Sequence, residues 1–262
     1  MTDERSGLAE RAERLRAAHH EDLPLVLPNV WDAGGARLAE QAGFPAIATT
    51  SGGVAVSLGH ADGQRTPVAE MFAAVGRIAR AVTVPVTADL EAGYGLPPAE
   101  FVERLLAAGA VGCNLEDTDH AGGALVAAEA QADRLAAVRA AADAAGVPIV
   151  INARVDVFVR QVGPPEERLA EGLRRARQYL AAGADCVYPI LLEDASQLAA
   201  FVRDLGAPVN VMLRAGGPSL DGLARLGVAR ISVGSGLHHA GSAALRESLE
   251  RLRSGRDPYT AS

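Results

Sequence analysis

Short apolar runs rich in β-branched residues alternate along the chain with longer stretches whose apolar positions recur every three to four residues. The short runs, at 25–30, 46–50, 84–90, 112–116, 148–153, 186–190, 209–213 and 230–233, read as strands. Between them, 67–81, 98–108, 128–145, 166–182 and 195–205 carry leucine and alanine on one face and arginine and glutamate on the other, the pattern of amphipathic helices. Gly43, Gly109, Gly146, Gly183, Gly206 and Gly227 each follow Ala or Leu just before a strand, where a left-handed residue ends a helix. About eight such units predict an α/β fold, a (β/α)8 TIM barrel over 1–262 as one domain. An extra helix over 5–19 precedes it and a closing helix over 240–253 ends it. A doubly wound open sheet would carry a glycine-rich dinucleotide fingerprint after its first strand, and Asn29-Val30-Trp31-Asp32-Ala33-Gly34-Gly35 lacks that spacing.

Composition narrows the chemistry. Apolar residues make up 49% and charged residues 22%, enough for a filled core. A net charge of −7 without a basic stripe argues against a nucleic-acid partner. No run approaches the roughly 18 apolar residues of a membrane span, and the charged N-terminal stretch MTDERSGLAERAERLR is unlike a signal peptide, so a cytoplasmic protein without membrane contact is expected. Cys113 and Cys186 lack the spacing of a zinc site or disulfide framework and read as buried small hydrophobes. All 25 basic residues are arginine. Schiff-base aldolase, pyridoxal-phosphate and P-loop chemistry need a lysine amine, which the permanently charged guanidinium does not replace.

In a (β/α)8 barrel the active site forms at the C-terminal ends of the strands. Here those ends are polar: Asn29, Asp32, Thr50, Ser51, Asp89, Glu91, Glu116, Asp117, Asn152, Arg154, Asp156, Tyr188, Asn210 and Ser235. Asp89 and Glu91 project to one side, and Glu116 comes from the next strand. Three converging carboxylates call for a hard cation such as Mg²⁺; the alternative is helix capping or pairing with arginine. Arg154 offers a bidentate fork to a carboxylate or phosphonate, or an ion pair to Glu116 or Asp156. Ser51-Gly52-Gly53 reads as the start of a loop whose backbone N–H groups approach an anionic oxygen, or as an ordinary turn. The stretch 117–125, DTDHAGGAL, reads as a movable lid, with His120 as an acid/base candidate or simply a solvated histidine.

Thr50-Ser51-Gly52-Gly53 with Leu58-Gly59 and Asp62, then Asp89-Leu90-Glu91-Ala92-Gly93-Tyr94-Gly95, Asn114-Leu115-Glu116-Asp117 and Ile151-Asn152-Ala153-Arg154 follow one another in order. In these motifs the chain resembles the isocitrate lyase/phosphoenolpyruvate mutase superfamily over nearly its whole length. The resemblance implies a TIM barrel with Mg²⁺ at its mouth and cleavage or formation of a C–C or P–C bond beside a 2-oxo acid. Carried over by position, Asp89 anchors the metal with Asp62, Glu91 and Glu116 around it, largely through waters. Ser51, Gly52 and Gly53 hold the substrate carboxylate, Arg154 binds it from the far side, and Asn210 completes the substrate site. Arg154, Glu116 and His120 are the catalytic candidates. The resemblance also implies a homo-oligomer, a dimer of dimers that exchange the helix over 240–253.

The chain departs from the family's tricarboxylate lyases in several places. Their cysteine-bearing gating motif has no counterpart in DTDHAGGAL, Thr49 replaces a tyrosine, and a strand-end glutamate is replaced within Tyr188-Pro189-Ile190. Their asparagine-x-threonine appears as Asn210-Val211-Met212, and Glu91 stands where aspartate is usual. The expected function is therefore a Mg²⁺-dependent lyase acting on a small 2-oxo or 2-hydroxy acid, or a phosphonate, through a pyruvate-enolate-like intermediate. Phosphonomutase activity is one alternative, as is decarboxylation or hydrolysis of an oxaloacetate-like acid. A phosphate-binding barrel isomerase or synthase using Ala215-Gly216-Gly217 and Gly234-Ser235-Gly236 is another, and a non-catalytic carboxylate-binding barrel a third.

Overall fold

The computed structural model describes residues 2–259. Parallel strands follow the chain: β1 (Leu25–Leu27), β2 (Asn29–Val30), β3 (Ile47–Thr49), β4 (Val86–Asp89), β5 (Gly112–Glu116), β6 (Val150–Arg154), β7 (Cys186–Tyr188), β8 (Asn210–Met212) and β9 (Arg230–Ser232). The expected first strand is divided at Pro28, so that β1 pairs with β9 on one side and β2 with β3 on the other. Strands β2 to β7 form one sheet in chain order, and β1, β9 and β8 form a second. The two sheets meet at Pro28 and, on the far side, at the single bridge Val187↔Val209. This is the strand order of a TIM barrel. Asn29 stitches the first seam: its Nδ2 donates to the Thr49 carbonyl at 2.8 Å, and its Oδ1 accepts from the N–H groups of Val233 and Gly234 at 2.8 and 3.0 Å.

Helices alternate with the strands: α1 (Thr2–Ala17), α2 (Ala33–Gln41), α3 (Ser51–Ser57), α4 (Val68–Ala79), α5 (Pro98–Ala107), α6 (Ala128–Ala144), α7 (Arg168–Ala181), α8 (Ala195–Leu205), α9 (Leu220–Arg225) and α10 (Gly236–Arg253). Hydrophobic periodicity misses α2, α3 and α9, which are only nine, seven and six residues long. Each starts at a side-chain cap: Asp32 accepts from Gly35 N, Thr50 from Gly53 N and Ser219 from Gly222 N. Asp32 is thus a helix cap, and Ser51-Gly52-Gly53, expected as a loop, is the first turn of α3. The six helix-ending glycines all lie at φ between +64° and +96°, the left-handed region anticipated for them. Both cysteines are free and buried, and burial pushes their thiols up to about 12. No helix among the described residues is long and apolar enough to cross a membrane.

Helix α1 covers the N-terminal ends of the strands. Leu15 reaches the backbone of Gly112, where an added Cβ would lie 2.9 Å from both Leu15 Cδ2 and Thr87 Oγ1. Arg16 clamps the helix end through the Pro148 and Ile149 carbonyls and Asp185. In the 3₁₀ turn that follows (Ala18–His20), His19 is buried, and its Nδ1 donates to the Leu15 carbonyl at 2.7 Å. Burial, reinforced by the charge of Arg230, lowers the His19 pKa from 6.5 to about 4. Below pH 6.5 the unfolded chain takes up a proton that the native state refuses, so this stability is complete above 6.5 and lost as pH falls through 4. Urea unfolding from pH 7 to 4 is expected to show roughly 2–3 kcal/mol lost to this group, a slope that His19→Asn removes.

Candidate active site

Asp89, the last residue of β4, is held at the barrel mouth by three hydrogen-bond donors. Its Oδ2 accepts from the Ser51 N–H at 3.0 Å and the Ser51 hydroxyl at 2.8 Å, and its Oδ1 accepts from Asn114 Nδ2 at 3.2 Å. Its own N–H donates to Thr49 Oγ1 at 2.8 Å. Ser51 holds this position because it opens α3, where the first turn leaves N–H groups without intrahelical partners. Glycine follows for steric reasons. A Cβ on Gly52 would lie 3.0 Å from Ser235 Oγ and 3.1 Å from Asp62 Oδ2, and one on Gly53 would lie 2.7 Å from Thr50 Cγ2. Ser51, Asp62, Asp89, Asn114, Arg154 and Tyr188 line one cavity of about 140 Å³, with Met212 and Ser235 on its other walls.

Asn114 is held from below by the barrel interior. Its Oδ1 accepts from Asn152 Nδ2 at 2.8 Å and from Arg230 Nη2 at 3.4 Å. Strands β5 and β9 are not neighbours, so the Arg230 side chain spans the lumen. Arg230 is 1% exposed, and burial lowers its pKa.

The expected acidic residues divide into two groups. Glu91, at φ +52°, turns its carboxylate to the Gly63 and Gln64 N–H groups at 2.8 and 2.6 Å and to the Tyr94 hydroxyl, pinning the segment that carries Asp62. Burial, together with the nearby Asp89 and Asp62 charges, pushes its pKa up to about 7 against the pull of these donors. Glu116 is instead clamped by Arg154 Nη2 and His120 Nε2. Arg154 also forks onto Asp156 at 2.6 and 2.9 Å. Burial opposes the Arg154 charge, but Asp156 and Asp89 outweigh it and raise the pKa. Behind them Asp117 accepts from Arg175 Nη1 at 2.8 Å, Tyr179 Oη at 2.6 Å and the Asp156 N–H at 2.8 Å.

The structure therefore gathers Ser51, Asp62, Asp89 and Arg154 around one cavity, with Gly52 against Asp62. Glu91 stands behind Asp62. Glu116 and His120 line a different cavity, of about 280 Å³, with Gln64 and Asp119. Burial lowers the His120 pKa. Asn210 is fully buried, its Nδ2 on Ser232 Oγ at 3.3 Å, and it does not line the cavity. Asp89, Glu91 and Glu116 do not converge as a trio, because Arg154 and His120 draw Glu116 aside. The 117–125 segment, expected as a lid, closes on itself through a Thr118↔Leu125 bridge and N–H groups of residues 121–123 bound to Asp119. Two contributors were missed as site residues. Asn114 appeared only within a motif, and Arg230 was passed over although an arginine inside an apolar strand run is itself a signal.

Among the described residues no three His, Cys, Asp or Glu side chains form a ready metal-binding group. The donors still fit Mg²⁺, a hard cation that keeps several waters and meets the protein through one or two carboxylates. Asp89 and Asp62 face one cavity, and burial, with a smaller contribution from their charges, raises the pKa of Glu91 beside them.

Known proteins share this chain's sequence pattern and fold. The family model for phosphoenolpyruvate phosphomutase matches residues 15–253. The chain belongs to the isocitrate lyase/phosphoenolpyruvate mutase superfamily. It is 35% identical over 240 residues to the uncharacterized protein Rv1998c of Mycobacterium tuberculosis H37Rv, covering 90% of this chain and 88% of that one. It is 31% identical over 206 residues to the 2-methylisocitrate lyase of Escherichia coli K12, covering 74% and 67%. A crystal structure from Burkholderia cenocepacia J2315, provisionally named a phosphonomutase, superposes with TM-score 0.88 at 43% identity, covering 92% and 99%. A phosphonopyruvate hydrolase in complex with oxalate and Mg²⁺ superposes with TM-score 0.83 at 26% identity, covering 96% and 92%. Superfamily members are Mg²⁺-dependent lyases and mutases acting on small acids.

In this superfamily member Asn114 is the joint between the lumen and the mouth. Asn114→Leu leaves the Asp89 carboxylate and the Arg230 guanidinium each short of a buried partner, and chemical denaturation is expected to show a loss of about 2–3 kcal/mol.

Proposed function

We propose that the protein is a cytoplasmic, Mg²⁺-dependent lyase that cleaves a C–C or P–C bond of a small 2-oxo or 2-hydroxy acid through a pyruvate-enolate-like intermediate. The observation that carries this reading is the single small cavity bearing Asp62 and Asp89 on one side and Arg154 on another. Asp89 and Asp62 would hold the cation, with Glu91 acting through waters, while Glu116, expected beside them, stays on Arg154 and His120. When bound, Mg²⁺ supplies positive charge for the oxygen that becomes negative as the bond beside the carbonyl breaks. In the first turn of α3 the Ser51 N–H is held by Asp89 and the Gly53 N–H by the Thr50 hydroxyl, which leaves the Gly52 N–H as the backbone donor there for the substrate carboxylate. Arg154, already oriented by Glu116 and Asp156, meets the same carboxylate from the opposite wall. Burial lowers the His120 pKa, and its contact with Glu116, which Arg154 joins to the cavity wall, supports a proton-exchange role toward the departing fragment.

The phosphonomutase alternative keeps support from the family model itself. Assembly fits a second copy of the chain. No residue of α10 is buried, and Leu237, Leu245, Leu249 and Leu252 are exposed along it, an apolar face suited to the helix exchange that the superfamily resemblance implies.

Pyruvate release measured by a coupled assay with and without Mg²⁺, across small 2-oxo, 2-hydroxy and phosphono acids, tests the reading. Turnover of at least one acid is expected only with Mg²⁺, and Asp89→Ala is expected to lower it by about a hundredfold or more. Silence across the panel combined with interconversion of phosphoenolpyruvate and phosphonopyruvate would establish the mutase instead. His120→Ala is expected to lower kcat about 10²-fold or more while oxalate affinity stays constant. An unchanged kcat would remove the histidine from the mechanism.

A further inference from the structure

The candidate active-site cavity is continuous in its wall with a second one. Met212, which closes the first cavity, also faces a space of about 300 Å³ at the ends of β7 and β8. Its other walls are Pro189, Leu191 and Leu192 after β7, Val211 on β8, and the 214–218 segment. That volume is at the lower end of ligand sites, which run from about 300 to 1,000 Å³. The charged side chains on its wall, Glu193 and Arg214, form an ion pair with each other, so the wall offers apolar surface beside a neutralised pair.

The turn that supplies the leucines is built at a conformational cost. Leu191 sits at φ +62°, a region that a branched, bulky residue rarely occupies. The turn is held there by Ile190 N on the Tyr188 carbonyl at 2.9 Å and Leu192 N on the Pro189 carbonyl at 3.1 Å. Backbone held in such sparsely populated regions concentrates at binding sites.

We propose that this second cavity receives an alkyl substituent of the substrate, so that the acid held between Asp89 and Arg154 is a 2-oxo or 2-hydroxy acid with an apolar tail of several carbons. This rests on the reading of the first cavity as the Mg²⁺ and carboxylate site. Met212 is the shared wall: the acid's head lies on one side of it and the tail passes to the other. Val211, Leu191 and Leu192 set how long and how branched the tail is.

Calorimetric titration of the full-length protein with Mg²⁺ and oxalate, followed by competition with 2-oxobutanoate, 2-oxopentanoate and 2-oxohexanoate, tests this. Affinity is expected to rise about three- to fourfold for each added methylene until the cavity is full. Val211→Phe, which fills the cavity, is expected to flatten the series while leaving oxalate affinity unchanged. Gly217→Val fills it from the opposite wall if the first variant does not fold, since a Cβ there makes only an ordinary 3.4 Å contact with the Arg214 carbonyl. A flat series in the unmodified protein, with oxalate still bound, overturns the apolar subsite alone. Tighter binding of 2-oxoglutarate than of 2-oxopentanoate also overturns it and gives the cavity to an anion at Arg214. Failure of oxalate to bind with Mg²⁺ overturns the reading of the first cavity and this inference with it.

Discussion

Everything at the barrel mouth depends on a cation sealed inside the barrel. Arg230 cannot leave the lumen, and its guanidinium only donates hydrogen bonds. Asn114 must therefore turn its carbonyl oxygen toward Arg230 and Asn152, which leaves its NH₂ facing the carboxylate of Asp89. A single amide orientation gives one partner to a donor-only group below and one to an acceptor-only group above. Asp89 is then oriented before any ligand arrives, with its second oxygen committed to the first turn of α3.

The distribution of charge around that point separates two kinds of acid. Glu116, Asp117 and Asp156 are buried with arginines already against them, so their negative charge is balanced within the protein. Asp89 and Glu91 have N–H and hydroxyl donors but no arginine ion pair, Asp62 lies beside them, and burial with the neighbouring charges raises the Glu91 pKa. A mobile cation lowers the energy of the second group and would gain little at the first. This contrast, rather than the number of carboxylates, separates Asp62, Asp89 and Glu91, whose charge a divalent ion would neutralise, from the acids that arginines already balance.

The eight strand positions, five longer helices and six helix-ending glycines were legible because each follows from local periodicity or from the φ that only glycine adopts readily. The short helices α2, α3 and α9 were not, since fewer than three turns hold too few apolar positions to show a period. That difference mattered at Ser51-Gly52-Gly53. Read as a loop, the glycines meant backbone N–H groups open to an anionic oxygen or an ordinary turn; in α3, Gly52 is where Asp62 and Ser235 crowd the backbone and Gly53 where Thr50 does.

The amino-acid sequence by itself determined the repeating strand-helix architecture, the polar strand ends and the residue types able to bind a cation and an acid. These are properties of local pattern and side-chain chemistry. Tertiary structure alone decided which acids share a cavity, because Asp62, the Asp89–Glu91 pair and Glu116 come from different segments and their partners are set by where Arg154, His120 and the 63–64 backbone lie. It also decided that Arg230 meets Asn114, since these residues are 116 positions apart on strands that do not pair. Closing strands into a ring turns such distant residues into contacts across the lumen, and no periodicity along the chain encodes which ones meet.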